Sequence, residues 1–325
     1  MSAFVAAVLI MYCVLLGRGA DRFLSRSAWC REHPHQALRL WQACGIGTLS
    51  ALAGAGLVVA HDIWEHLVVW LFHADKRSVH HLYAAHESVS PWWNTTAAII
   101  ALLIAGIVLD AVRRSIATAR IRARHRLLVR VCGRPTGEPD LYLLDVPEVA
   151  AYCVPGPRRS GRVIVTSASR ELLTDEEMTA TVEHERAHLD QRHHAKILVA
   201  ETVTRLLAPL GLLRNYATQI HQLTEMAADD RAAKRCGAET VARALLRIGS
   251  AGGPAPGASP FLAMAGSLTA ERIRRLLQPR RRAVRYPSII VTCVVMAFGL
   301  VPFGLVVGPA ASLAGTHHCA AACRN

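Results

Sequence analysis

Three residues in the middle of this chain have the types and spacing of a hydrolytic metal centre: His184, Glu185 and His188. In a helix, residues four apart project from one face. His184 and His188 can therefore share one zinc ion, and Glu185 can reach a water on that metal. The spacing is H-E-x-x-H, and the chemistry it fits is metal-assisted hydrolysis with a carboxylate as the base. A second pair follows at Glu225 and Asp229, again one turn apart. Glu225 supplies a third ligand. Asp229 supplies a carboxylate that can steady a ligand histidine through its other ring nitrogen. Two histidines and one glutamate leave a fourth position open, which distinguishes a catalytic zinc site from a structural one.

Both pairs need helices to hold them. Thr174 can cap a helix and Glu177 stands three residues on, with Asp175 and Glu176 in the favourable first turn. Asn215 to Arg235 reads as the second helix, stopped at Cys236-Gly237. Ahead of them, Leu141 to Leu144 and Arg162 to Thr166 read as strands, with turn residues at Pro155-Gly156-Pro157. Between these lie Ala151, Tyr152, Cys153 and Val154, a segment beside which an extended substrate can add as a strand, or which is an ordinary sheet edge. His194 to Leu213 reads as a buried or interfacial helix, Ser250 to Pro260 as a linker, and Ala270 to Leu277 as a basic helix. His193 and His194 read as solvated.

The frame around this segment is apolar and basic. The chain has 325 residues, is 52% hydrophobic and carries a net charge of +13. Its arginines cluster beside apolar runs, which reads as membrane topology ahead of nucleic-acid binding, so no direct nucleic-acid partner is expected. Residues 1–17, 41–60 and 95–112 read as three transmembrane helices. Between them lie a basic loop with Arg18, Arg22, Arg26, Arg31 and Arg39 and a near-neutral loop over 61–93. The Arg-rich run at 113–130 follows, then a fourth span between Ser288 and about Val307 and a short tail to Asn325. The expected division is therefore 1–112, a catalytic domain over 113–285, and 286–325. Arginine placement puts the catalytic domain in the cytoplasm and both termini outside a multi-pass plasma-membrane protein. Nine cysteines form no C-x-x-C pair; Cys13, Cys44 and Cys293 fall in apolar spans, and Cys132, Cys153 and Cys236 read as reduced thiols. Scattered histidines in the outer loop (His61, His66, His73, His80, His81, His86) and the tail (His317, His318) lack ligand spacing and read first as polar surface.

The chain resembles the BlaR/MecR-type membrane zinc metallopeptidases, in their short actinobacterial form without a penicillin-binding sensor domain. The resemblance rests on Arg162-Val-Ile-Val-Thr166, Leu172-Leu-Thr-Asp-Glu-Glu, His184-Glu-Arg-Ala-His188, Glu225-Met-Ala-Ala-Asp229 and the strand Ala151-Tyr-Cys-Val-Pro-Gly156. It implies a gluzincin fold with one zinc ion per chain. The fold class expected is then mainly α: four transmembrane helices with a cytoplasmic α+β peptidase domain between the third and fourth. It also implies endoproteolysis of a cytoplasmic or membrane-proximal protein, one candidate substrate being a winged-helix repressor; β-lactam sensing is not expected. Related HtpX-type peptidases carry a His-Pro before a Glu-Arg-Ile-x-Arg-Leu helix. The matching stretch here, Met264 to Leu276, has no histidine, which leaves the oxyanion donor open. Two other readings stand beside signalling proteolysis: membrane-protein quality control of the HtpX kind, and a zinc-containing receptor without catalysis. A lipid bilayer is an expected partner, and a homo-oligomer is allowed.

Overall fold

A computed structural model describes residues 2–59, 69–71, 91–156, 160–251 and 260–278, together with the isolated positions 297 and 304. The chain there is mainly helical with one small sheet. Helix α1 (Ser2–Gly19) runs into a π-helical turn (Ala20–Leu24); α2 (Ala28–Glu32) and α3 (Pro34–Val59) follow. Then comes α4 (Pro91–Cys132), followed by strands β1 (Arg134–Pro135), β2 (Leu141–Leu144), β3 (Ala151–Val154) and β4 (Arg162–Thr166). Six helices complete the described chain: α5 (Ser167–Leu172), α6 (Asp175–Asp190), α7 (His193–Leu207), α8 (Tyr216–Cys236), α9 (Ala238–Ala251) and α10 (Pro260–Leu277).

The local signals produce the elements expected of them. Thr174 accepts from the Glu177 N–H, and the Glu177 carboxylate accepts from the Thr174 N–H, the reciprocal cap that starts α6. Glu177 is otherwise buried, and Arg247 of α9 meets its carboxylate at 3.1 Å. Helix α8 ends where Gly237 takes φ +87°, a conformation an L side chain rarely adopts. The strands order as β1-β2-β4-β3, with β2 and β4 parallel and the two outer pairs antiparallel. That order leaves β3 at one edge of the sheet, facing the helices that carry the metal-ligand candidates.

The membrane-like segments differ in part from expectation. Among the described residues one helix is long and apolar enough to cross a membrane, Phe4–Leu24. It reaches past the expected 1–17 because the helical backbone continues unbroken from Gly19 through the π-helical turn, which adds Phe23 and Leu24. The expected third span and the arginine run after it form one unbroken helix, α4, in which no proline or cap interrupts the hydrogen bonding. Its end is fixed to the sheet: Val129 packs with Val154 and Ile164, and Arg126 Nη1 donates to the Pro155 carbonyl at 2.7 Å. The expected fourth span and tail and most of the outer histidine loop lie outside the described residues, as do 252–259 of the linker.

Helix α3 shows how the apolar segments meet the catalytic ones. Leu38, Trp41 and Cys44 are buried in a core shared with α1, α7 and α8. The Trp41 ring stands 6.0 Å from that of Tyr216, the first residue of α8. Gly45 passes so close that a Cβ there would meet Tyr216 Oη at 2.8 Å. Asp21, in the turn after α1, accepts from the backbone N–H of Arg214 at 2.7 Å and of Asn215 at 3.0 Å. It satisfies donors that α8 leaves open at its N-terminus, where Asn215 makes no side-chain cap of its own.

Candidate metal centre

Helices α6 and α8 pack side by side and bring the two sequence pairs together. The His184 and His188 Nε2 atoms are 3.1 Å apart. Glu225 Oε2 lies 3.5 Å from His184 Nε2, and Oε1 lies 3.4 Å from His188 Nε2. Ligands held about 2.0–2.1 Å from a zinc ion at the corners of a tetrahedron stand roughly 3.3–3.4 Å from one another. The three separations match that edge length, so these residues fit zinc. The donor chemistry agrees: two imidazole lone pairs and a carboxylate converging on one point repel unless a cation lies between them.

The rotation of α6 is fixed from outside the site. Arg186, on the opposite face from the ligands, donates from Nε to Asp140 Oδ2 at 2.9 Å and also meets Glu138 and Glu183. These contacts tie the helix to the turn before β2, and the histidine face then points at α8.

Charge in the site is arranged around His184. Asp229 is fully buried, and its Oδ1 stands 3.0 Å from His184 Nδ1, close enough for its charge to act although the angle falls short of a linear hydrogen bond. Burial alone would lower the His184 pKa; the Asp229 and Glu225 carboxylates overturn that and push it up to about 10. Burial pushes His188 the other way, down to about 4, with Glu225 opposing and His184 and Arg272 adding to the fall. Glu225 is crowded by protein, yet 37% of its side chain opens to the cleft. Burial would raise its carboxyl, but His184 and Arg272 hold it well below the usual range.

Arg272 of α10 stands in the site although its sequence position gave no sign of it. It meets Asp229 with two parallel hydrogen bonds, Nε to Oδ2 at 2.8 Å and Nη2 to Oδ1 at 2.7 Å, and places Nη1 3.0 Å from Glu225 Oε2. Each of its three nitrogens thus faces Asp229 or Glu225. It falls in the stretch from Met264 to Leu276 that matches the HtpX-type helix but has no histidine. The next turn of α10 extends the tie. Arg275 donates to the Arg31 carbonyl at 2.6 Å and to Asp230 at 2.8 Å, joining α2 to α8.

His193 corrects an expectation. It is fully buried, with Nδ1 3.1 Å from His188 Nδ1 and Nε2 3.2 Å from Gln191 Oε1. A solvated reading failed because the chain reverses at Arg192, which takes φ +51° and folds the start of α7 back on α6. His194 instead lines a cleft of about 360 Å³ with Tyr152, Cys153, Val154, His188 and Glu225.

The strand side of the cleft is β3. Ala150 is bonded to Thr166, and hydrogen-bonded pairs alternate along an antiparallel ladder. Tyr152 and Val154 therefore also turn their backbone groups to β4, while Ala151 and Cys153 turn theirs to the free edge. Glu185 occupies part of that edge: its carboxylate takes hydrogen bonds from the Cys153 N–H and thiol. Burial raises the Glu185 carboxyl, and His184 and Cys153 work against that rise. Burial also pushes the Cys153 thiol far up, so it remains a protonated donor beside Glu185.

Residues 115–230 match the family model of peptidase family M48. The match takes in the second half of α4, the sheet, α6 and α8 as far as Asp230. It supports a metallopeptidase of that family, a coarser statement than the BlaR/MecR-type resemblance. No solved structure matches this chain.

Proposed function

We propose that this protein is an integral membrane zinc endopeptidase that cleaves a cytoplasmic or membrane-proximal protein. The observation that carries this is the convergence of His184, His188 and Glu225 at zinc-ligand separations, with Glu185 hydrogen-bonded to Cys153 on the strand that walls the cleft. His184, His188 and Glu225 would hold one zinc ion per chain. A zinc ion there supplies a Lewis acid that polarises the scissile carbonyl and acidifies a water.

The protein's own groups do the rest. Asp229, anchored by Arg272, keeps the Nδ1 proton on His184 and so leaves its Nε2 lone pair for the metal. Glu185 is the general base: it removes a proton from the attacking water and delivers it to the departing amine. Its hydrogen bonds to Cys153 hold the carboxylate at the strand edge, between metal and substrate. The substrate backbone runs beside Ala151 to Val154 and uses the edge groups of Ala151 and the Cys153 carbonyl, the Cys153 N–H being held by Glu185, so that main-chain bonding fixes the scissile peptide over the cleft. A winged-helix repressor is our candidate substrate, by resemblance.

Protein purified from membranes should contain one zinc per chain. His184→Ala, His188→Ala and Glu225→Ala should each lose most of it under dialysis that leaves the wild type loaded. Full retention in all three variants, measured by elemental analysis, would overturn the site.

The membrane arrangement belongs to the same reading and rests on the apolar helix Phe4–Leu24 and the arginines that follow it. Single-cysteine labelling in intact cells should leave 18–40 and 113–285 protected and make 61–93 and 317–325 reactive. Reactive positions in the catalytic segment would move the substrate to the other side of the membrane.

A further inference from the structure

The two candidate histidine ligands are backed by partners of opposite kind. His184 has the Asp229 carboxylate at Nδ1, which can only accept a proton. His188 has another imidazole at Nδ1, that of His193, which can accept or donate. A metal needs a bare Nε2 on both ligands, so each must carry its proton on Nδ1. For His184 the carboxylate settles this. For His188 it depends on which way the shared hydrogen bond with His193 runs.

Gln191 decides the direction. Its Oε1 faces His193 Nε2 at 3.2 Å and can only accept. The proton of neutral His193 then sits on Nε2, and His193 Nδ1 is left as a lone pair. That lone pair accepts from His188 Nδ1–H over 3.1 Å, and the bare nitrogen of His188 is the Nε2 that faces His184 and Glu225. The chain of protons runs from His188 to His193 to Gln191. Run in reverse, it would put a proton on His188 Nε2 and close that nitrogen to any metal.

The fold is built to hold this chain. Gln191 caps the C-terminus of α6, its N–H bonded to the Ala187 carbonyl. Arg192 makes the left-handed turn, and His193 opens α7 at zero exposure, its ring edge-on to that of His188 with centroids 4.8 Å apart. A fully buried imidazole lacking the His188 and Gln191 partners would be costly to bury.

We propose that His193 and Gln191 are positioning residues that order the protons of the site so that His188 presents a bare Nε2 to the metal. This rests on the zinc reading above. Neither residue touches the substrate in this scheme.

The test uses the full chain in detergent and reads zinc affinity by competition with a chelator. His193→Phe keeps an aromatic ring but cannot accept from His188, and should weaken zinc by roughly 10- to 100-fold, the usual effect of losing an outer partner of a ligand. Because that substitution sits in the core, Gln191 supplies a second pair at a half-buried position. Gln191→Leu removes the acceptor and should weaken zinc, whereas Gln191→Glu keeps an acceptor and should bind at least as tightly as the wild type. A merely structural role would not separate Leu from Glu in that order. In zinc-loaded protein with ¹⁵N-labelled histidine, long-range correlations should show His193 protonated at Nε2. Equal affinity in wild type, His193→Phe and Gln191→Leu overturns the inference alone, as does a proton on His193 Nδ1. A wild type that binds no zinc overturns the metal site and the inference with it.

Discussion

Glu185→Gln should keep the zinc of the proposed site and lose on the order of 10² to 10⁴ in turnover, the range general base catalysis contributes. The three candidate ligands are His184, His188 and Glu225, and Glu185 is outside that group. Glutamine has nearly the same shape and can still face the Cys153 N–H, so neither fold nor metal should respond. What it lacks is a lone pair basic enough to take a proton from water. The measurement is paired: elemental analysis for zinc, and cleavage of a peptide library or of the substrate once identified. Wild-type turnover would remove Glu185 from the mechanism. Loss of zinc together with activity would show that Glu185 supports the metal, and the role of base would have to pass to another group.

Arg272→Met should destabilise the protein by about 3–5 kcal/mol, the cost of stripping the partner from a buried ion pair. The Arg272 side chain is only 14% exposed, and Asp229 is not exposed at all. Without the guanidinium, the Asp229 and Glu225 carboxylates face each other across His184 with their shared cation gone. The His184 orientation loosens and zinc affinity falls with it. Arg272→Lys should recover only part of the loss, because one ammonium cannot make the two parallel bonds to Asp229 and still reach Glu225. Thermal unfolding and zinc competition check both variants. If Arg272→Met matches the wild type in both, α10 is not part of the site.

Arg272 lies on a helix, α10, that begins after the linker and ends just before the last basic run. Arg272 reaches α8 while Arg275 and Glu271 reach Arg31 in α2, the short helix after the first apolar one. The metal centre is therefore tied on two sides to segments that adjoin the apolar ends of the chain. Asp21 at the start of α8 and Trp41 against Tyr216 add two more ties to the same ligand helix.

The sequence by itself determined what depends on neighbours a few residues away. A turn of helix is 3.6 residues, so the one-face placement of His184 with His188 and of Glu225 with Asp229 follows from spacing. Thr174 and Glu177 cap each other for the same local reason, and the short strands at 141–144 and 162–166 follow from β-branched and aromatic residues between turn residues. Only the tertiary structure decided what depends on distant residues meeting under burial. The strand order puts β3 at an edge, and no property of Ala151 to Val154 alone requires that. His193 became a buried partner of His188 because one left-handed residue reversed the chain. Arg272 meets Asp229 across 43 positions and Asp21 meets Asn215 across 194, with no periodicity to connect either pair. Residues 41–60 carry the composition of a lipid-facing span, yet Trp41 and Cys44 are buried against protein. Composition records that a surface avoids water, and packing alone selects whether lipid or protein covers it.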